Sequence, residues 1–333
     1  MFPGADKRSG WRSGAREDQR VERALGALAV AVLAVIGLMI VTVLIKAWPS
    51  FAYNGIKWFG PGGDVEEQLR AMRSGTPIPG HGILYFRAWP LIWGTLVTTV
   101  AAVVIALVVS TLAAVFLSEF APAPARRVLD PVIRLLAAVP SVIYGLIGIL
   151  AIAPWINEHL ISNARKQSVI YVVQLNGADL MTATVILTVM ILPIMVAIAA
   201  NTLDSVPVSW SEGSAALGVN RWRTIWRVSL RMAMPAIAAA TVLATARALG
   251  EAVMLAMVSG GHAFAANPLD GLTFLFEPVQ PLAATIFRES GGNTVGPLAH
   301  TMYAIAAVLL VSATLLSLAG WAARQPLKRY GVR

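Results

Sequence analysis

Six stretches of this 333-residue chain run for about 20 residues or more with almost no charge, and that is what most constrains its fold. A bilayer's hydrocarbon core is about 30 Å thick, so a helix of about 20 apolar residues crosses it. Residues 24–45 are 22 in a row without Asp, Glu, Lys or Arg, and residues 88–118 are 31, with the helix starting after Pro90. Residues 135–157 and 180–203 supply the third and fourth spans and carry Pro140 and Pro193, which neighbouring helices can accommodate. The fifth, 235–258, is interrupted only by Arg247 and Glu251, and the sixth starts at Pro297 within 290–323. The apolar piece 168–178, at 11 residues, is too short to cross and reads as external loop. The expected fold is an all-α integral membrane protein with six transmembrane helices. Composition agrees: 13% of residues are charged, against roughly 25% in a soluble domain, which excludes a soluble enzyme and a disordered chain.

Orientation follows from the cations. With both termini cytoplasmic, the inside segments hold 17 Lys and Arg and the outside segments eight, with Arg247 inside the fifth span. That split satisfies the positive-inside rule and the reverse orientation violates it. The resulting division is a basic arm at 1–23, a transmembrane region at 24–323 and a basic tail at 324–333. External loops fall at 47–87 and 260–296, and a cytoplasmic loop at 204–235. The arm, rich in Gly, Ser and Arg, reads as disordered and as retaining the N-terminus inside. The following apolar segment is too long for a signal peptide and shows no small-residue cleavage site.

Several chemistries lack their residues. None of the five lysines follows a glycine, so no phosphate-cradling Gly-Lys-Ser/Thr loop exists. His81, His159, His262 and His300 fall into no metal-ligand spacing, and there is no cysteine. No GxSxG nucleophile elbow occurs either. The net charge of +9 sits in the loops of a membrane protein, which argues for lipid headgroups and against nucleic acid as the partner.

The most informative stretch is 206–235. Ser211-Glu212 followed by small residues reads as a short helix, ended at Gly218-Val219-Asn220, and a second helix runs from Arg221 toward Pro235. On the second helix Arg223, Arg227 and Arg231 make one cationic stripe, while Trp222, Ile225, Trp226 and Ser229 are expected on another face. A basic helix lying on anionic lipid accounts for the arginines and tryptophans, but not for the compact helix-turn-helix before it.

Glu212-Gly213-Ser214, Gly218, Val228 and Leu230 resemble the coupling (EAA) loop of ABC-importer permeases. The Glu-to-Gly spacing of six and the Gly-to-Val spacing of ten fit that pattern. Gly213 and Ser214 replace two alanines, and Arg231 stands where the pattern has proline, with Pro235 one turn later. The resemblance implies a type I importer permease in which Glu212, Gly213, Ser214, Gly218 and Arg221 meet an ATPase subunit.

Arg247 and Glu251, four residues apart, are expected to share a helix face and pair, because a lone Arg at a bilayer centre costs roughly 2.5 to 3.5 kcal/mol. They read either as a structural ion pair or as the lining of a polar path, where the planar guanidinium fork suits an oxyanion. Ala246-Arg247-Ala248-Leu249-Gly250-Glu251, Val139-Pro140-Ser141-Val142-Ile143-Tyr144-Gly145 and Trp93-Gly94-Thr95-Leu96 resemble segments of phosphate-specific (Pst) permeases. The arm and the stretch before the last span resemble the PstC type more than its PstA partner type.

What this resemblance implies is a non-catalytic permease of the bacterial inner membrane that moves inorganic phosphate past Arg247, Glu251 and Ser141. It binds no cofactor itself; two ATPase subunits use ATP and Mg, and a PstA-type permease and a periplasmic phosphate-binding protein complete the assembly. The alternatives are an ABC permease for molybdate, sulfate or an amino acid, and an ion-coupled transporter that titrates Glu251. Gly145 and Gly148 are expected where helices pack closely.

Overall fold

The computed structural model describes residues 9–169, 174–291 and 296–324, and these are helical apart from loops and one isolated parallel bridge between Gly260 and Val279. In chain order the helices are α1 (Ser9–Asn54), α2 (Val65–Ser74), α3 (Trp89–Val115), α4 (Ala123–Ala138), α5 (Ser141–Ile147), α6 (Ala153–His159) and α7 (Asn163–Ser168). They continue with α8 (Leu180–Asp204), α9 (Val208–Ala216), α10 (Arg221–Thr224), α11 (Leu230–Leu249), α12 (Val253–Val258), α13 (Leu282–Glu289) and α14 (Pro297–Arg324). Widened π-type turns extend α3 (Phe116–Phe120), join α5 to α6 (Gly148–Ile152) and join α10 to α11 (Ile225–Ser229).

Six segments are long and apolar enough to cross a membrane: Val21–Phe59, Trp89–Phe120, Ser141–His159, Leu180–Asp204, Arg221–Leu249 and Pro297–Ala322. The six expected spans are therefore present, with three differences. Helix α1 begins at Ser9, inside the stretch expected to be a disordered arm, and runs on to Asn54, past the expected loop start at residue 47. The third span starts at Ser141 and not at residue 135, because Pro140 lacks an N–H and pushes Val139 into extended backbone (ψ 130°), which separates α4 from α5. The fifth breaks after Leu249. The tail at 325–333, residues 1–8 and part of the 168–178 loop, 170–173, lie outside the described residues.

Helix α8 is the axis of the bundle. The rest of the chain covers 67% of its most apolar window, against 0% for α1. Because lipid is as apolar as leucine, helices associate through close contact, which small residues permit. Ala102 and Ala106 of α3, Ala183 of α8, and Ala244 and Ala248 of α11 are each at most 1% exposed and meet in one core with Leu187, Met190 and Ile191. Gly145 and Gly148 do lie at a close helix contact. A Cβ at Gly145 would stand 3.2 Å from the Met254 Cα, and one at Gly148 would stand 2.6 Å from Val258. Helix α5 and the widened turn that continues it are thereby seated against α12.

The segment 47–87, which carries no recognisable motif, is firmly built. Trp58 and Phe86 are fully buried beneath it. Asn54 ties it together: its amide donates to the Ser50 and Leu84 carbonyls (2.9 and 2.7 Å), and its Oδ1 accepts from the Phe86 N–H (3.0 Å). The Gln68 side chain does the same between the Gly62 carbonyl (2.9 Å) and the Arg87 N–H (2.8 Å).

Asp179 caps α8, its Oδ1 accepting from the Thr182 N–H at 2.8 Å. The residue is 1% exposed, and burial raises its carboxyl pKa from 3.8 to about 7. The native state thus holds that proton more tightly than the unfolded chain, so the contribution of Asp179 to stability is fully present below pH 3.8 and is lost as pH rises through about 7. Asp179→Asn keeps an acceptor for the cap but cannot ionise. It is expected to flatten that decline when the thermal midpoint in detergent is followed across the window; an unchanged slope would show that Asp179 does not cause it.

Candidate functional site

Two places carry the polar chemistry, and the first is the loop after α8. The chain turns tightly there: the Ser205 and Val206 N–H groups donate back to the Thr202 and Leu203 carbonyls (3.1 and 3.2 Å) before Pro207 opens α9. Helix α9 presents Val208, Trp210, Ser211, Glu212 and Gly213 outward and has no buried residue. It ends at Gly218, whose φ of +73° is a left-handed conformation costly for any residue with a Cβ. The Gly218 N–H donates to the Ala215 carbonyl (2.9 Å) and the Val219 N–H to the Ser214 carbonyl (3.2 Å). Asn220 then caps α10 through the Arg223 N–H (2.8 Å). The Ser214 and Thr224 hydroxyls share a 2.8 Å hydrogen bond that clips the two helices together.

Arg223, Arg227 and Arg231 form the expected exposed stripe. The tryptophans do not share a face with Ile225 and Ser229. Ile225 and Ser229 are buried, while Trp222 and Trp226 are 54% and 53% exposed and stack edge to face. Arg221 points back toward the bundle, 3.8 Å from Glu119 and over the Phe120 ring. Glu119 also accepts from the Ser229 hydroxyl at 3.4 Å, which joins the end of the second span to the start of the fifth.

The second place is the break in the fifth span. After Leu249 the helix tightens, with the Gly250 N–H on the Ala246 carbonyl and the Glu251 N–H on the Ala248 carbonyl, both 3.3 Å. The expected Arg247–Glu251 ion pair does not form: no ion pair among the described residues joins them. Pairing at i, i+4 needs a continuous helix, and the break after Leu249 removes it. The Glu251 carboxylate turns the other way and accepts from the Met254 N–H (3.2 Å), capping α12. Arg247 stays half-buried on α11, and Ala248 beside it packs in one buried cluster with Tyr144 of α5. The Tyr144 hydroxyl donates to the Leu136 carbonyl of α4 at 2.8 Å, bridging the Pro140 joint. Ser141 opens α5, one turn before Tyr144, and is likewise half-buried. The structure therefore gathers Arg247, Glu251 and the α5 start at two adjoining helix breaks.

Residues 106–324 match the family described as binding-protein-dependent transport system inner membrane component. The chain belongs to this family. Among its curated relatives, a probable ABC transporter permease protein of Bacillus subtilis, YqgH, is 35% identical over 72% of this chain and 71% of its own. The phosphate transport system permease protein PstC 1 of Mycobacterium tuberculosis is 31% identical over 86% of each chain. A PstC from Pasteurella multocida is 28% identical over 79% of each. Among solved structures, a chain of a bacterial alginate ABC transporter aligns over 95% of this chain and 99% of its own, with TM-score 0.54 at 14% identity. A chain of the inward-facing MetNI methionine transporter covers 70% and 93%, with TM-score 0.50 at 18% identity. The fold of this ABC-importer permease is thus the type I importer fold.

Tyr144 and Glu119 had not been singled out from the sequence. The available signal for Tyr144 was a phenol within an apolar span, whose hydroxyl needs a partner. For the loop, the geometry separates its two glycines. A Cβ on Gly213 would meet nothing within 4 Å, whereas Gly218 has positive φ. Gly213→Ala, inside α9 and with room for a Cβ, is expected to stabilise that helix by about 0.5 to 1 kcal/mol and Gly218→Ala to cost about 1 kcal/mol locally. Hydrogen exchange of the α9–α10 turn in the purified permease reads the difference; equal protection in both variants would refute the role given to Gly218.

Proposed function

We propose that this permease forms half of the translocation path of an ATP-driven importer for inorganic phosphate in the bacterial inner membrane, with both termini cytoplasmic. The observation that carries the reading is Arg247. It is a cation in a membrane span, and no carboxylate among the described residues pairs with it. A guanidinium facing lipid there costs roughly 2.5 to 3.5 kcal/mol, so a wet path or a second permease must cover it. Its five N–H donors form a planar fork that can hold two oxygens of a tetrahedral oxyanion. The engagement of Glu251 with the Met254 N–H leaves that fork free. The PstC names of relatives 28% and 31% identical over most of the chain support phosphate as the anion.

The partners in this reading are a homologous PstA-type permease, two ATPase subunits that use ATP and Mg, and a periplasmic phosphate-binding protein. The exposed α9 with Glu212, Gly213 and Ser214, stiffened by Gly218 and clipped to α10, is the part that fits an ATPase groove; Arg221 anchors its far end to Glu119. The binding protein delivers phosphate at the end of the bundle formed by 47–87 and 260–296. Rocking of the helices then changes the side from which Arg247 is reached, as alternating access requires.

The test is uptake of radiolabelled phosphate into liposomes carrying the complete importer. Uptake is expected only with ATP and binding protein, and Arg247→Gln is expected to assemble normally yet transport about ten- to a hundredfold less, the loss of a charged hydrogen-bonded contact. Transport of a different oxyanion in preference to phosphate would overturn the substrate. Uptake driven by an ion gradient without ATPase would overturn the mechanism.

A further inference from the structure

A polar cleft outside the site already described lies between α4 and α8 at the end of the bundle that carries α9. Arg126, Asp130 and Arg134 of α4 face Asn201 and Asp204 of α8 across it. Arg126 bonds Asp204 and stands 3.5 Å from Asp130 of its own helix. Asp204 is the last residue of α8, followed by the tight turn into α9. Helix α4 is otherwise lightly held. None of its 16 residues is buried, and it packs mainly on α8. Each of its ends is a proline joint in extended backbone, Pro122 (ψ 151°) before it and Val139-Pro140 (ψ 130° and 137°) after it. Beyond the second joint, the Leu136 carbonyl receives the Tyr144 hydroxyl, and Tyr144 shares a buried cluster with Ala244 and Ala248, which flank Arg247 on α11.

We propose that α4 is the rod that carries motion of the ATPase-facing loop to the intramembrane arginine, with Arg126–Asp204 as its attachment at one end and Tyr144–Leu136 at the other. Sixteen residues give the rod a length of about 24 Å. A displacement of α9 moves Asp204 through the hydrogen-bonded turn at 205–207; Asp204 pulls Arg126, α4, which runs on through its own Pro131, swings on the flanking joints at Pro122 and Pro140, and Tyr144 shifts relative to Arg247. Gly145 is packed against Met254, so the same swing presses on α12, which Glu251 caps. Arg126 and Tyr144 are positioning residues, since neither is placed here on the substrate. Both Arg126 and Asp204 keep about a third of their side-chain surface in solvent, at 35% and 31%. Such a pair contributes only about 0 to 1 kcal/mol to stability, so breaking it leaves the bundle folded.

The inference rests on the importer reading, and its readout is the ratio of anion transported to ATP hydrolysed in one proteoliposome preparation of the complete importer. Arg126→Asp and Asp204→Arg are each expected to lower that ratio about tenfold while ATP hydrolysis continues. The exchanged pair, Arg126→Asp with Asp204→Arg, is expected to recover most of it. Tyr144→Phe, which loses only the hydroxyl, is expected to lower the ratio too, and its combination with Arg126→Asp to be no worse than the poorer single variant. Single variants with an unaltered ratio, an exchanged pair that stays uncoupled, or losses that multiply in the Tyr144 and Arg126 combination would each overturn the rod. A wild-type importer that carries another anion defeats the phosphate reading alone, because the ratio is then measured with that anion.

Discussion

In hydrocarbon no water is present to pair a free N–H or C=O, so every place where a helix stops inside the bundle must find protein partners for its backbone. The structure depends on how it meets that requirement. At Val139-Pro140 the chain runs extended, and the Tyr144 hydroxyl joins the Val139 N–H (3.2 Å) as a second donor to the Leu136 carbonyl. At 250–252 the backbone tightens onto the Ala246 and Ala248 carbonyls, and the Glu251 carboxylate takes the Met254 N–H. The two repairs use the polar side chains that a purely structural bundle would omit, and they lie on helices pressed together at Gly145 and Gly148. Polar groups needed to end helices and a cation suited to an anion thus occupy one region.

The spans were legible because freedom from charge over about 20 residues has few other meanings. The loop after α8 was legible for a different reason: a left-handed turn needs glycine, its cap needs a short polar side chain, and Gly218 and Asn220 supply both. The spacing of Arg247 and Glu251 misled because it assumed a helix that continues. Gly250 does not itself demand a break, since its φ is −85°. The decision lies in α12 and its packing on α5, contacts between residues about 110 apart that no local pattern displays. The face of Trp222 and Trp226 was missed likewise, because the widened turn at Ile225–Ser229 rotates the side chains away from a regular helical register.

Nor was the order in 47–87 readable. Its folding relies on two amides, Asn54 and Gln68, whose donors and acceptors serve backbone groups up to about 30 residues away. Amides of this kind look like any loop residue in a sequence. In the structure they let a segment without regular sheet cover Trp58 and Phe86 while keeping its own backbone paired.

The bare flank of α1 has a consequence for how the chain is made. Of the described helices this one leaves the ribosome before the others, yet its main neighbour in the bundle, α14, leaves it after them. During synthesis it therefore waits in lipid through the insertion of every intervening span, stable there because its apolar window has no need of protein cover. The pairing of these two helices closes only when α14 arrives, so a chain cut short before residue 297 leaves α1 without its main neighbour.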